Sequence, residues 1–194
     1  MVCKNLKEIA SVAKKNKLLI LSDEIYSELT FDNQYKSISN FYPEGTIVST
    51  GLSKWCGAGG WRLGFFAIPS SLKELKNSLK VLCSESFTSV SAPIQYAAVE
   101  AYKGNHSSYL NAVKKILYFT GNYVYENLKS NVINVNKPEG GFYLFPEFIN
   151  SKFSSSAEMC EDILDKTGVA LLPGSDFGLE NGKMLARLSY TDFD

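Results

Sequence analysis

A glycine-rich connection between two apolar runs most restricts how this chain can fold. The runs at 47–50 and 63–68 have the length and residue types of short β-strands. About a dozen residues separate them, including Gly57, Gly59 and Gly60, and a parallel crossover normally needs at least that many residues and a helix. No helical periodicity is present in the connection. We therefore expect the two strands to run antiparallel, with the carboxyl end of the first beside the start of the second.

The periodicities around this pair predict an α/β chain. Residues 4–16 repeat apolar side chains at helical spacing, and the wholly apolar run 18–21 is typical of a strand buried on both faces of a sheet. Ser155 and Glu158 form a capping box for a helix that ends at Gly168. Further helices are expected at 72–82, 92–102 and 110–128, and further short strands at 142–145, 169–172 and 184–188.

Charge and cysteine usage exclude several classes of partner. The chain carries 20 basic and 20 acidic residues with no dense basic run, so neither a nucleic acid nor a membrane surface is expected as a partner. No apolar run approaches the length of a membrane span. Four scattered cysteines without a C-x-x-C pair, and a single histidine, predict no metal site. The thiols are expected to be reduced, as in a cytoplasmic protein.

The two arginines are more informative than the total charge. Every other basic residue is lysine, and only Arg62 and Arg187 carry a guanidinium group. A planar guanidinium can bind a phosphate or a carboxylate through two hydrogen bonds at once. These two positions are therefore candidate anion-binding sites.

Several segments together resemble the class I family of pyridoxal-phosphate aminotransferases. The run GLSKWCGAGGWRLG at 51–64 is similar to the lysine signature of that family, and SDEIY at 22–26 resembles its pyridine-binding strand. The segments at 138–143, 172–174 and 186–190 resemble its small domain. The resemblance implies an α/β fold with part of the mixed sheet of the large cofactor-binding domain, at 1–115. A smaller α+β C-terminal domain would follow at 116–194.

This resemblance implies a catalytic role for Lys54. Its amine would form a Schiff base with pyridoxal 5'-phosphate and, once freed by an amino acid, act as general base at the substrate α-carbon. Asp23 would keep the pyridine nitrogen protonated, and Tyr26 would hydrogen-bond the phenolic oxygen of the cofactor. The implied activity is transfer of an amino group between an amino acid and a 2-oxo acid.

The same resemblance implies anion-binding roles for the two arginines. Arg62 would bind the cofactor phosphate, with Ser53 as a hydroxyl donor, and Arg187 would bind the α-carboxylate of the substrate. The segment 86–93 resembles one that reaches toward the cofactor of a neighbouring subunit, so a homodimer is expected.

Two departures from the family pattern qualify the expectation. Gly51 stands where the family commonly has a hydroxyl residue, which leaves that phosphate contact to Ser53, Ser49 or Thr50. The chain also starts after an Asn-Pro-x-Gly turn of the family and stops shortly after Arg187. We therefore expect a C-terminal fragment that is inactive by itself, with activity residing in a full-length form.

The residues leave two other functions open. A carbon–sulfur lyase or a cyclising synthase could use the same lysine, carboxylate and arginines. A non-catalytic remnant could keep the fold and serve as a binding partner, since function is decided by sites and not by fold.

Overall fold

The described residues of this computed structural model, 3–32, 34–178 and 184–191, form helices and short strands. The α-helices are α1 (Cys3–Lys15), α2 (Lys73–Ser86), α3 (Ala92–Lys103), α4 (Ser107–Leu128) and α5 (Ser156–Thr167). The strands are β1 (Ile20–Asp23), β2 (Thr46–Gly51), β3 (Gly64–Ala67), β4 (Ile133–Asn134), β5 (Tyr143–Leu144), β6 (Glu147–Phe148), β7 (Leu172–Pro173) and β8 (Ala186–Ser189). The expected mixture of α and β structure is confirmed.

The first three strands form one mixed sheet in the order β1-β2-β3. β1 runs parallel to β2, with Asp23 opposite Ser49. β2 runs antiparallel to β3, with Gly51 opposite Gly64. The antiparallel pairing predicted from the glycine-rich connection is therefore confirmed.

The expectation of a strand at 18–21 buried on both faces is wrong in two respects. β1 begins at Ile20, and Leu18 and Leu19 precede it as exposed residues. Leu21 is also exposed, and burial alternates along the strand. The reason is that the face of β1 that carries Ile20 packs against the core of the first unit, while among the described residues no second layer covers the face that carries Leu21.

The helices follow their sequence signals closely. α1, α2, α3 and α4 all coincide with the predicted periodic segments. α5 starts where the capping box predicts, since the Ser155 hydroxyl accepts from the Glu158 amide at 3.1 Å. The Glu158 carboxylate accepts from Ser154, one residue before the cap. Gly168 ends the helix with a φ of 74°, a left-handed conformation that suits glycine.

The strand expected at 169–172 begins later than predicted. β7 starts only at Leu172, because the amide of Val169 donates to the Thr167 hydroxyl and stays with the end of α5. β7 and β5 both pair antiparallel with β8, in the order β5-β8-β7. β4 pairs separately with β6.

The chain divides into two compact units, residues 1–110 and residues 111–194. A core of Ala10, Ala13, Ile38 and Tyr42 lies under α1 in the first unit. A core of Met159, Cys160 and Ala186 lies under α5 in the second. None of the described helices has the length and apolar character that crossing a bilayer requires.

Candidate functional site

The carboxyl ends of β1 and β2 lie at one edge of the first sheet. Asp23 is the last residue of β1, and β2 extends two residues beyond the partner of Asp23 to Gly51. Because Gly51 pairs with Gly64 at the start of β3, the connection between β2 and β3 leaves and rejoins the sheet at that edge. The connection carries Ser53, Lys54 and Arg62. The sheet topology therefore brings these residues to the same edge as Asp23.

Buried neighbours hold the turn that carries Lys54. Leu52 and Trp55, on either side of residues 53 and 54, are only 2% and 6% exposed. The Leu52 amide donates to the Leu63 carbonyl at 3.2 Å, which closes the base of the connection. Burial raises the pKa of the Cys56 thiol, and this thiol donates to the Leu52 carbonyl at 2.9 Å. Lys54 itself is half-buried, on a turn whose two sides are fixed in the core.

Lys54 lies over the ring of Tyr26. Its Nζ atom is 5.7 Å from the ring centroid, within the range of a cation–π contact. Tyr26 is half-buried and precedes a short 3-10 helix, Ser27–Leu29, at the end of the β1 segment. The amine and the phenol, which are far apart in sequence, are therefore neighbours in the structure.

Asp23 is exposed at the end of β1, and one of its oxygens caps the following turn. Its Oδ1 atom accepts from the Ile25 amide at 3.2 Å. This local bond is the ordinary turn-forming role of an aspartate. It also fixes the direction of the carboxylate at the edge of the sheet.

Arg62 is exposed and has a backbone φ of 55°, in the left-handed region. It caps a 3-10 helix, Gly59–Trp61, and its Nη1 atom donates to the Gly59 carbonyl at 2.8 Å. No carboxylate among the described residues forms a salt bridge with this guanidinium group. Four of its five N–H donors are thus left for an anion.

Ser53 lies in the turn directly before Lys54 and is half-buried. In the part of the chain that the structure describes, its hydroxyl makes no hydrogen bond. Ser49 and Thr50, the other hydroxyl residues considered for the phosphate, lie within β2.

A close contact between β2 and β3 explains the glycine at position 51. A Cβ atom at Gly51 would lie 2.6 Å from the Leu63 carbonyl oxygen and 2.9 Å from the Gly64 Cα atom. Both are backbone atoms that cannot turn aside. The missing hydroxyl at this position is therefore a consequence of how tightly the two strands approach each other.

Arg187 belongs to the second unit and lies in β8. Its guanidinium carbon is 4.4 Å from the ring centroid of Tyr143 and 5.1 Å from that of Phe177. Among the described residues no carboxylate forms a salt bridge with it, and two aromatic rings contact this cation.

Three residues that contact or adjoin the predicted site residues were not predicted from the sequence: Glu24, Tyr143 and Phe177. Glu24, beside Asp23, is only 8% exposed, although an isolated glutamate in a sequence indicates a solvated side chain. Tyr143 and Phe177 contact Arg187 but lie in separate segments. Apolar residues at those positions fit an ordinary core, so only the fold reveals the contact.

The acids and thiols do not form a metal site in the described ranges. No group of three or more histidine, cysteine, aspartate or glutamate side chains is arranged there to hold a metal ion.

Comparison with known proteins identifies the family to which the chain is similar. Residues 1–192 match the sequence model of a family described as aminotransferase class I and II. The chain is 39% identical over 191 residues to a probable N-acetyl-LL-diaminopimelate aminotransferase of Bacillus subtilis, covering 95% of this chain and 46% of that protein. It is 34% identical over 194 residues to an aspartate aminotransferase of Bacillus sp. strain YM-2, covering 95% and 48%.

Solved structures give the same result for the fold. An alanine aminotransferase from Pyrococcus furiosus superposes with a TM-score of 0.87 at 30% identity, covering 97% of this chain and 49% of that one. An aromatic aminotransferase from Pyrococcus horikoshii superposes with a TM-score of 0.87 at 32% identity, covering 98% and 51%. The chain thus spans about half the length of the relatives it matches. The fold expected from the resemblance is confirmed.

Proposed function

The chain belongs to the class I and II aminotransferases, and from this premise we propose that its protein transfers an amino group between an amino acid and a 2-oxo acid. The observation that carries the proposal is the position of Lys54. Its amine lies over the Tyr26 ring on a turn at the sheet edge where Asp23 ends β1. The relatives named above are all called aminotransferases, which favours transamination over the lyase and synthase alternatives.

The donor groups at this edge fit pyridoxal 5'-phosphate. The cofactor needs an amine for its aldehyde, a carboxylate for its ring nitrogen, a donor for its phenolic oxygen and a cation for its phosphate. Lys54, Asp23, Tyr26 and Arg62 supply these four groups. When bound, the cofactor supplies an electron sink for the bond broken at the substrate α-carbon.

Each residue then has a defined task in the reaction. Lys54 holds the cofactor and moves the proton at the substrate α-carbon. Asp23 keeps a proton on the ring nitrogen, because a carboxylate favours a nearby cation. Tyr26 donates a hydrogen bond to the phenolic oxygen. Arg62 binds the phosphate, assisted by the Ser53 hydroxyl.

Arg187 supplies the second anion-binding group. Its guanidinium binds the α-carboxylate, which fixes the direction of the α-carbon–hydrogen bond. We assign residues 1–115 to the cofactor-binding large domain and residues 116–194 to the small domain. The protein acts as a homodimer in the cytoplasm, with residues 86–93, around the connection between α2 and α3, directed toward the cofactor of the other subunit.

The test is the covalent labelling of Lys54. The full natural protein is mixed with pyridoxal phosphate, reduced with borohydride, digested and analysed by mass spectrometry. We expect the reduced cofactor on the peptide that contains Lys54, together with a visible absorbance band before reduction. Both should disappear in Lys54→Ala and persist in Lys15→Ala, which removes an exposed lysine of α1.

The reaction class is tested with the same protein. Turnover of an amino acid should require a 2-oxo acid and should release no ammonia. Labelling at other lysines, or a Lys54→Ala variant that keeps the absorbance band, would contradict the proposed site. Ammonia release without a 2-oxo acid would contradict transamination while leaving the site intact.

A further inference from the structure

Glu24 is a buried acidic residue that lies between the two proposed cofactor residues Asp23 and Tyr26. It is 8% exposed, and no lysine or arginine among the described residues forms a salt bridge with it. A buried charge is costly unless other groups satisfy it. Its surroundings must therefore supply hydrogen-bond donors.

Two serines supply them in a fixed order. The Ser37 hydroxyl donates to Glu24 Oε1 at 2.5 Å. Because a hydroxyl has a single proton, the 2.6 Å contact between the Ser37 and Ser39 hydroxyls must be donated by Ser39. The Ser39 amide also donates to the Ser37 oxygen, at 3.1 Å. The chain of donors therefore ends at the carboxylate of Glu24.

Tyr35 lies near the same carboxylate. Partial burial and the Glu24 carboxylate, with a weaker influence of Asp23, raise the pKa of the Tyr35 phenol above its ordinary value.

This network ties the segment of the proposed cofactor residues to the core. The Glu24 amide donates to the Ser49 carbonyl at 2.8 Å, and its own carbonyl accepts from the Ser27 amide at 3.0 Å. Its side chain is bonded to Ser37, next to Ile38, which is part of the core under α1. Glu24 is thus fixed on one side to the sheet and on the other to the core.

We propose that Glu24 is a positioning residue, whose bond to Ser37 sets the place of Asp23 before it and Tyr26 after it. This inference rests on the proposed function. Asp23 and Tyr26 must reach two different atoms of one small ring, its nitrogen and its phenolic oxygen, so a shift of the turn between them would lose one contact or both. The side chain of Glu24 acts through its neighbours and not on the cofactor.

The first experiment measures cofactor binding in the full natural protein. Ser37→Ala removes the donor to Glu24, and Glu24→Gln keeps an acceptor oxygen for Ser37 but removes the charge. The control Ser78→Ala removes a serine hydroxyl whose hydrogen bond among the described residues goes to the Glu74 carbonyl, within α2. We expect Ser37→Ala to weaken the binding of pyridoxal phosphate about tenfold, Glu24→Gln to weaken it less, and the control to leave it unchanged.

A spectroscopic measurement separates positioning from general destabilisation. With pyridoxal phosphate labelled with ¹⁵N in the ring, the nitrogen chemical shift reports whether Asp23 still holds the proton there. In Ser37→Ala at saturating cofactor, we expect the shift to move toward that of the unprotonated ring. An unchanged shift and an unchanged affinity would overturn the inference.

Amide hydrogen exchange tests the positioning role of Glu24 in the absence of the cofactor. We expect Ser37→Ala to accelerate exchange of the Ser27 and Leu29 amides, which bond to the Glu24 and Tyr26 carbonyls, about tenfold. Amides elsewhere in residues 1–110 should be unaffected. If the wild-type protein binds no cofactor, the proposed function fails, and exchange alone decides the inference. A uniform acceleration, or none, would then overturn it.

Discussion

The two arginines are held in opposite ways. Arg62 lies on a connection with a left-handed backbone, and its guanidinium is tethered to the Gly59 carbonyl. Arg187 lies in a regular strand, and its guanidinium lies over the rings of Tyr143 and Phe177. Neither forms a salt bridge with an acid in the described parts of the chain.

The difference matters for how each group can bind an anion. A tether to a carbonyl uses one N–H donor and relies on an uncommon backbone conformation. Aromatic stacking uses the faces of the guanidinium and leaves all of its N–H donors in the plane for a ligand. Arg62 is therefore positioned by its backbone, and Arg187 by its neighbouring side chains.

The largest effect is expected when each arginine is replaced by leucine, because one variant should weaken substrate binding and the other should weaken cofactor binding. Arg187→Leu should raise the KM for the amino acid about 10- to 100-fold, because a charge-assisted contact is lost, while cofactor affinity stays the same. Arg62→Leu should weaken the binding of pyridoxal phosphate by a similar factor and leave the KM unchanged at saturating cofactor. Steady-state kinetics and cofactor titration of the full natural protein measure both. Equal effects of each variant on both quantities would remove the distinction between the sites.

The second prediction concerns the close contact between β2 and β3. Of the two arginine sites, only that of Arg62 depends on this contact. Gly51→Ser places a Cβ atom against the backbone of Leu63 and Gly64, so the strands must move apart. We expect a loss of about 1–3 kcal/mol in the free energy of unfolding and weaker cofactor binding. Urea unfolding followed by circular dichroism gives the first value.

A matched glycine provides the control for that measurement. A Cβ atom at Gly60 would meet no atom within 4 Å, so Gly60→Ser should leave stability nearly unchanged. If the two serine variants are equally stable, the close approach of β2 and β3 does not explain the glycine at position 51.

The sequence predicted the fold better than it predicted these local arrangements. The antiparallel β2–β3 pair, the helices and the cap at Ser155 all followed from spacing and turn chemistry, because those signals are local. Leu18 and Leu19 were wrongly expected in a doubly buried strand. An apolar run indicates that its side chains favour burial. It does not indicate whether a second layer of structure covers both faces of the strand.

Only part of the candidate site could be predicted from the sequence, because only part of it depends on local signals. The motif containing Lys54 and Arg62 is contiguous, so its resemblance to a family could be recognised. The support of Asp23 by Glu24 and Ser37, and of Arg187 by Tyr143 and Phe177, depends on contacts between segments distant in sequence. No pattern within a single segment of the sequence indicates that Glu24 is buried or that aromatic rings lie over Arg187.

The third prediction tests the backbone difference between the two arginines. Glycine adopts a positive φ without the steric cost that alanine has, so Arg62→Gly should be more stable than Arg62→Ala by about 1 kcal/mol. In a strand the order should reverse, with Arg187→Gly less stable than Arg187→Ala by a similar amount. Urea unfolding of the four variants checks this. The same order at both positions would show that Arg62 gains nothing from its left-handed conformation.

The smallest expected effect isolates the aromatic support of Arg187. The Tyr143 ring is closer to the guanidinium than the Phe177 ring, at 4.4 Å against 5.1 Å, and Phe177 is partly exposed. A cation–π contact contributes about 0.5–1 kcal/mol at such sites, so each leucine variant should raise the KM for the amino acid only a few-fold. Tyr143→Leu should have the larger effect, and cofactor affinity should not change in either variant. If both variants leave the KM unchanged while Arg187→Leu raises it, the strand alone positions Arg187, and both arginines are then held by their backbone.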